Sequence, residues 1–111
     1  MVKLLINHGA NVGTKDNSGV TPLHLASFFG HTAVAELLIA KGADVNSKTN
    51  YDNTPLMYVA MEGHTDVAQL LITKGANINA KSIGGETPLS IAVLEGYKTL
   101  EQLLRENGAK E

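Results

Sequence analysis

Cysteine is absent from the 111-residue chain, which excludes disulfide frameworks and thiolate metal sites and leaves the redox compartment open. A surplus of basic charge is absent too: nine Lys and Arg face eleven Asp and Glu, for a net charge of −2. Nucleic-acid binders draw much of their affinity from neutralising phosphates and show a basic face, so a nucleic-acid partner is not expected. No apolar run approaches the ~18–20 residues that span a bilayer, and no membrane partner is expected. Residues 1–6 are largely apolar, but Asn7, His8 and Gly9 stop them well short of a signal-peptide core of ~7–15 residues. No Asn-x-Ser/Thr acceptor site occurs. A hydrophobic content of 43% is too high for a disordered tail. The chain is expected to be soluble and intracellular, one domain with a modest core.

What is present is periodic. Thr21-Pro22-Leu23, Thr54-Pro55-Leu56 and Thr87-Pro88-Leu89 keep a constant step of 33 residues. The pairs Gly9-Ala10, Gly42-Ala43, Gly75-Ala76 and Gly108-Ala109 keep the same step, as do Gly30, Gly63 and Gly96, and Leu37-Leu38, Leu70-Leu71 and Leu103-Leu104. Thr followed by Pro reads as a helix start, because the hydroxyl caps and Pro at the first helical position loses no hydrogen bond. A first helix is expected from Pro22 to about Phe29, closed by Gly30. A second begins near Thr32, with Val34, Leu37 and Leu38 on one face. Lys41 suits the negative end of its dipole, and Gly42 can take the left-handed conformation that ends it. Residues 43–53, rich in Asn, Asp, Ser and Thr, read as an extended excursion with a turn.

Asp16-x-x-Gly19-x-Thr21-Pro22-Leu23-His24-Leu25-Ala26, then Gly30-His31, then Gly42-Ala43-Asp44-Val45-Asn46 resembles the ankyrin repeat over essentially the whole chain. The resemblance implies an all-α solenoid of helix-turn-helix pairs with short β-hairpin loops, and a concave surface of hairpin tips and first helices. It divides residues 1–111, a single domain, into a partial repeat 1–15, full repeats 16–48 and 49–81, and a C-terminal capping repeat 82–111. It also implies that Thr21 and His24 tie loop to helix. Met57 replaces that His in the next repeat and Ser90 in the last, so those repeats are expected to be less rigid.

The two ends differ. Ala35 and Ala68 align with Glu101, and Ile39 and Ile72 with Arg105, so the last helix turns polar outward as a terminal repeat does. Val2 and Ile6, at the same positions, stay apolar. Either further repeats precede residue 1, or another copy of the chain covers the open N-terminal face, or a half-repeat stands alone.

Signs of reaction chemistry are missing. Gly84-Gly85 is not followed by a phosphate-loop Lys, and no His-Glu-x-x-His or nucleophile-elbow sequence occurs. His31 and His64 stand one repeat apart, so the repeat explains them without a metal. No enzyme activity, cofactor or metal is expected. Leu38 lies eight residues before Asn46, a context resembling the ankyrin sites modified by asparaginyl hydroxylases, with Asn79 a looser match.

The resemblance places recognition at hairpin tips and the exposed side of the first helices. By register these are Asn17, Ser18, Val20, Phe28 and Phe29; then Asn50, Tyr51, Asn53, Met61 and Glu62; then Ile83, Gly84, Glu86, Leu94 and Glu95. Both phenylalanines fall here, which suits an interface core, though either ring could instead pack inward. Glu62, Glu86 and Glu95 add an acidic rim, which implies a partner protein with an apolar centre and some basic character. The rival function is a structural spacer or self-associating segment of a longer array.

Overall fold

Each Thr-Pro marker starts a helix by the mechanism its chemistry suggests. In the computed structural model, which describes residues 12–110, the extended backbone of Thr21, Thr54 and Thr87 lets each hydroxyl accept from the amide three residues on. The first helices of the pairs are α1 (Pro22–Phe29), α3 (Pro55–Glu62) and α5 (Pro88–Glu95); the second helices are α2 (Thr32–Ala40), α4 (Thr65–Thr73) and α6 (Lys98–Glu106). Helix α1 packs on α3 and α3 on α5, forming an inner row; α2, α4 and α6 form an outer row in the same order. The expected start, length and Gly30 stop of the first helix all agree with this.

The core runs between the rows. Leu23, Leu56 and Leu89 and their outer-row counterparts Leu38, Leu71 and Leu104 are fully buried. Helices of eight and nine residues are too short to persist alone, so this shared apolar seam, rather than intrinsic propensity, holds them. Val59 is buried where Ala26 and Ala92 stand, so the stack absorbs the larger side chain at that position.

The loops differ from hairpins with strands. Each tip closes on itself: the amides of Asp16, Thr49 and Ser82 donate to the carbonyls of Val20, Asn53 and Glu86 at 3.0, 3.0 and 2.9 Å. Successive tips are joined by one backbone bond each among the described residues, from the Asn50 amide to the Ser18 carbonyl and from the Ile83 amide to the Tyr51 carbonyl, both 2.9 Å. That is too little pairing for a ladder, and no β-strand forms among the described residues. The substitution of Asp16 by Thr49 and Ser82 is tolerated because all three oxygens accept from tip amides, Asp16 Oδ1 from Val20 at 2.9 Å and the hydroxyls of Thr49 and Ser82 from Asn53 and Glu86 at 3.2 Å. Asp52 holds a left-handed φ of 62° where its counterpart Gly19 has 80°.

The partial repeat before residue 12, with Val2, Ile6, His8 and the face they were expected to leave open, lies outside the described residues.

Candidate functional site

Four large hydrophobic side chains stay exposed on the inner row and its tips: Phe29 at 58%, Tyr51 at 65%, Ile83 at 68% and Leu94 at 78%. Among the described residues the other exposed large hydrophobics, Leu25 and Val93, lie on the first and last helices of that row, and none lies on α2, α4 or α6. Tyr51 and Ile83 are neighbours, because the Ile83 amide donates to the Tyr51 carbonyl. Asn17, Ser18, Asn50, Glu62, Gly84, Glu86 and Glu95 are exposed as well, while Val20, Asn53 and Met61 are half-buried.

Phe28 differs from Phe29. It is half-buried and meets Tyr58 of the next helix pair edge-on at 6.1 Å and Phe29 at 5.1 Å. Tyr58 in turn meets the His24 ring at 5.1 Å. Phe28 thus packs toward the following repeat and against Phe29, whose ring stacks on His31 at 6.1 Å. Tyr58 was not among the expected surface residues. Its part in the ring chain depends on a distance between repeats, which spacing along one repeat does not show. Burial raises its phenol pKa, with a smaller push from Asp16.

Behind the surface, His24 ties two repeats together. A carbonyl only accepts, so Nε2–H donates to Asn53 O at 2.9 Å. Nδ1 is then unprotonated and accepts from the Thr21 amide at 3.0 Å. Desolvation by burial pulls this imidazole below its ordinary pKa, partly offset by the backbone carbonyls beside it. Ser90 completes the same box with Thr87 at 2.9 and 3.0 Å, within its own repeat. At Met57, only the Thr54 cap remains.

His64 is structural: its Nε2–H donates to the Phe28 carbonyl at 3.0 Å. Its ring covers Gly30, where a Cβ would lie 2.6 Å from Nδ1. Tyr97 covers Gly63 in the same way. Asn46 and Asn79 also join repeats. The Asn46 amide group donates to Gly75 O at 3.2 Å and accepts from the Asn77 amide at 2.6 Å. Asn79 does the same with Gly108 and Lys110 at 3.1 and 2.8 Å. The recurrence of Asn at these positions is the signal that could have revealed the clamp.

No three His, Asp or Glu side chains among the described residues gather closely enough to hold a metal, and no described helix is long and apolar enough to cross a membrane. A shallow groove of about 300 Å³ is lined by Leu89, Ser90, Val93 and Leu94.

Compared with known proteins, residues 1–49 and 47–111 match a family model described as ankyrin repeats (3 copies). No curated protein matches the chain.

Proposed function

Because the chain belongs to the ankyrin-repeat family, whose members are generally protein–protein interaction modules and generally non-enzymatic, we propose that it binds a partner protein through its hairpin tips and inner helices and catalyses nothing. The observation that carries this reading is the segregation of exposed apolar side chains. Phe29, Tyr51, Ile83 and Leu94 all lie on the inner row and its tips, and among the described residues α2, α4 and α6 expose no large hydrophobic side chain. Exposed aromatic and large apolar side chains gathered on one side of a fold are the residue types that interface cores favour. The ring chain through Phe28 and Tyr58 holds Phe29 in place, which lowers the entropy lost when it docks.

The partner's contact surface is apolar at its centre and basic at its edge, facing Glu62, Glu86 and Glu95. A spacer would tolerate changes on this face, whereas a binding module would not. The test is a variant carrying Phe29→Ser, Tyr51→Ser, Ile83→Ser and Leu94→Ser, checked for helix content by circular dichroism and used to capture proteins from lysate. Truncating a central anchor typically weakens binding by ~2 kcal/mol, or about thirtyfold. Capture is expected to be lost. Undiminished capture by the folded variant refutes the reading.

A further inference from the structure

Each outer helix is closed by a residue followed by a left-handed glycine: Lys41-Gly42, Lys74-Gly75 and Asn107-Gly108, with glycine φ of 100°, 96° and 97°. The residue before the glycine has nearly the same backbone in all three, φ −91° and ψ 8° at Lys41, −91° and 10° at Lys74, and −103° and 16° at Asn107. The turn itself therefore does not require asparagine. All six residues are exposed. Lys41-Gly42 and Lys74-Gly75 are each followed by a further repeat, so the exposure of Asn107 and Gly108 does not depend on what lies beyond them. Asn107-Gly108 is the one Asn-Gly pair in the sequence.

An asparagine followed by glycine is chemically distinct, because glycine puts no side chain in the way of ring closure. The Gly108 nitrogen attacks Asn107 Cγ; an N–Cγ bond forms, the Cγ–Nδ2 bond breaks, and ammonia leaves with the Gly108 amide proton. Water then opens the cyclic imide. Opening at Cγ gives aspartate, and opening at the backbone carbonyl gives isoaspartate, whose main chain runs through Cγ. The folded cap blocks the first step. A five-membered ring needs the Gly108 nitrogen eclipsed with Asn107 Cβ, whereas ψ 16° leaves it nearly eclipsed with the Asn107 nitrogen. The Gly108 amide also donates to Arg105 O at 3.2 Å, and the Asn107 side-chain amide donates to Leu103 O at 2.8 Å.

Reaction therefore requires the last turn of α6 to open locally, and a side chain from the preceding loop holds that turn shut. Asn79 Nδ2 donates to Gly108 O at 3.1 Å, and Asn79 Oδ1 accepts from the Lys110 amide at 2.8 Å. Neither product rebuilds the cap. Aspartate at 107 cannot donate to Leu103 O, and it puts a negative charge at the helix end that disfavours one. Isoaspartate lengthens the main chain just before Gly108 and carries its carbonyl away from Asn79. We propose that Asn107 is a site of deamidation by water, paced by opening of the α6 cap that Asn79 guards, and that conversion releases residues 108–110 from the stack. The site lies on the outer row, apart from the tips and inner helices, and stands independently of partner binding.

The test incubates the 111-residue chain in mildly alkaline buffer, folded or in urea, and follows digests by mass spectrometry for a gain of a single dalton at Asn107. The folded chain is expected to convert at Asn107 ahead of its other asparagines, and more slowly than the unfolded chain. Asn79→Ala should speed conversion of the folded chain about fivefold or more, the factor that losing a hydrogen bond adds to an opening equilibrium. It should leave the rate in urea unchanged. Asn46→Ala breaks the equivalent clamp one repeat earlier and should leave conversion close to the parent rate, which separates local opening from a general loss of stability. Converted chain should lose hydrogen-exchange protection at the 108–110 amides, whereas Asn107→Lys keeps it through the same incubation. No conversion at Asn107, equal rates in the folded and unfolded chain, or Asn46→Ala acting as strongly as Asn79→Ala would each overturn the proposal.

Discussion

Replacing Gly30 by alanine isolates the contact between neighbouring repeats from the strain of the helix cap. Gly30 and Gly96 close α1 and α5 with nearly the same left-handed backbone, φ 72° and 81°. In each case a Cβ brings the strain of a left-handed L-residue, about 1–2 kcal/mol. At Gly96 nothing lies within 4 Å of the added atom, whereas at Gly30 it would meet His64 Nδ1 at 2.6 Å and Cε1 at 2.7 Å. The ring must move and give up its bond to the Phe28 carbonyl. Losing a bond that leaves a part-buried acceptor unpaired adds about 1–2 kcal/mol. Gly96→Ala should therefore destabilise by about 1–2 kcal/mol and Gly30→Ala by about 2–4 kcal/mol. Urea denaturation followed by circular dichroism gives both numbers. In a His64→Ala background, the excess at Gly30 should largely vanish. Equal losses at the two glycines in the parent chain would refute the view that His64 clamps the repeats together.

The Ser27 hydroxyl is fully buried with no hydrogen-bond partner among the described residues, and its counterpart is Ala60; Ser27→Ala should raise stability by about 1 kcal/mol, read from the same denaturation midpoints. Asp52 holds a φ of 62° where Gly19 and Gly85 serve the other loops, so Asp52→Gly should stabilise by about 0.5–1 kcal/mol; a lower midpoint would show that the Asp52 side chain contributes more than the strain removes. Stability should also depend on pH through His24, whose folded pKa lies below the ordinary 6.5. As pH falls through that value the unfolded chain takes up the proton first, so this contribution is complete above it and declines until the folded pKa is passed. Urea midpoints across this range should fall further for the parent than for His24→Ser, and parallel curves would contradict the assignment.

The helix ends were legible because each carries its own local cause. Thr21 and Pro22 begin α1, Gly30 ends it, and both act within a few residues. The loops were less so: a turn is visible in composition, but strand pairing depends on how tips from successive repeats meet, and here one bond joins each pair. Expected exposure at Phe29, Tyr51, Ile83 and Leu94 agrees with the structure, since the repeat register assigns those positions to the inner row's open side. Phe28 stood between two readings until Tyr58, a helix pair away, supplied its packing partner. The Asn46 and Asn79 clamps and the ring over Gly30 likewise span repeats. A period shows that such residues recur, but not what they touch.

Hydrogen–deuterium exchange of the chain with and without a captured partner would probe the recognition surface directly. Protection is expected at the tips, residues 16–20, 49–53 and 82–86, and along α1, α3 and α5, with α2 and α4 exchanging as they do in the free chain. Protection confined to the outer helices would contradict the assignment of binding to the inner face.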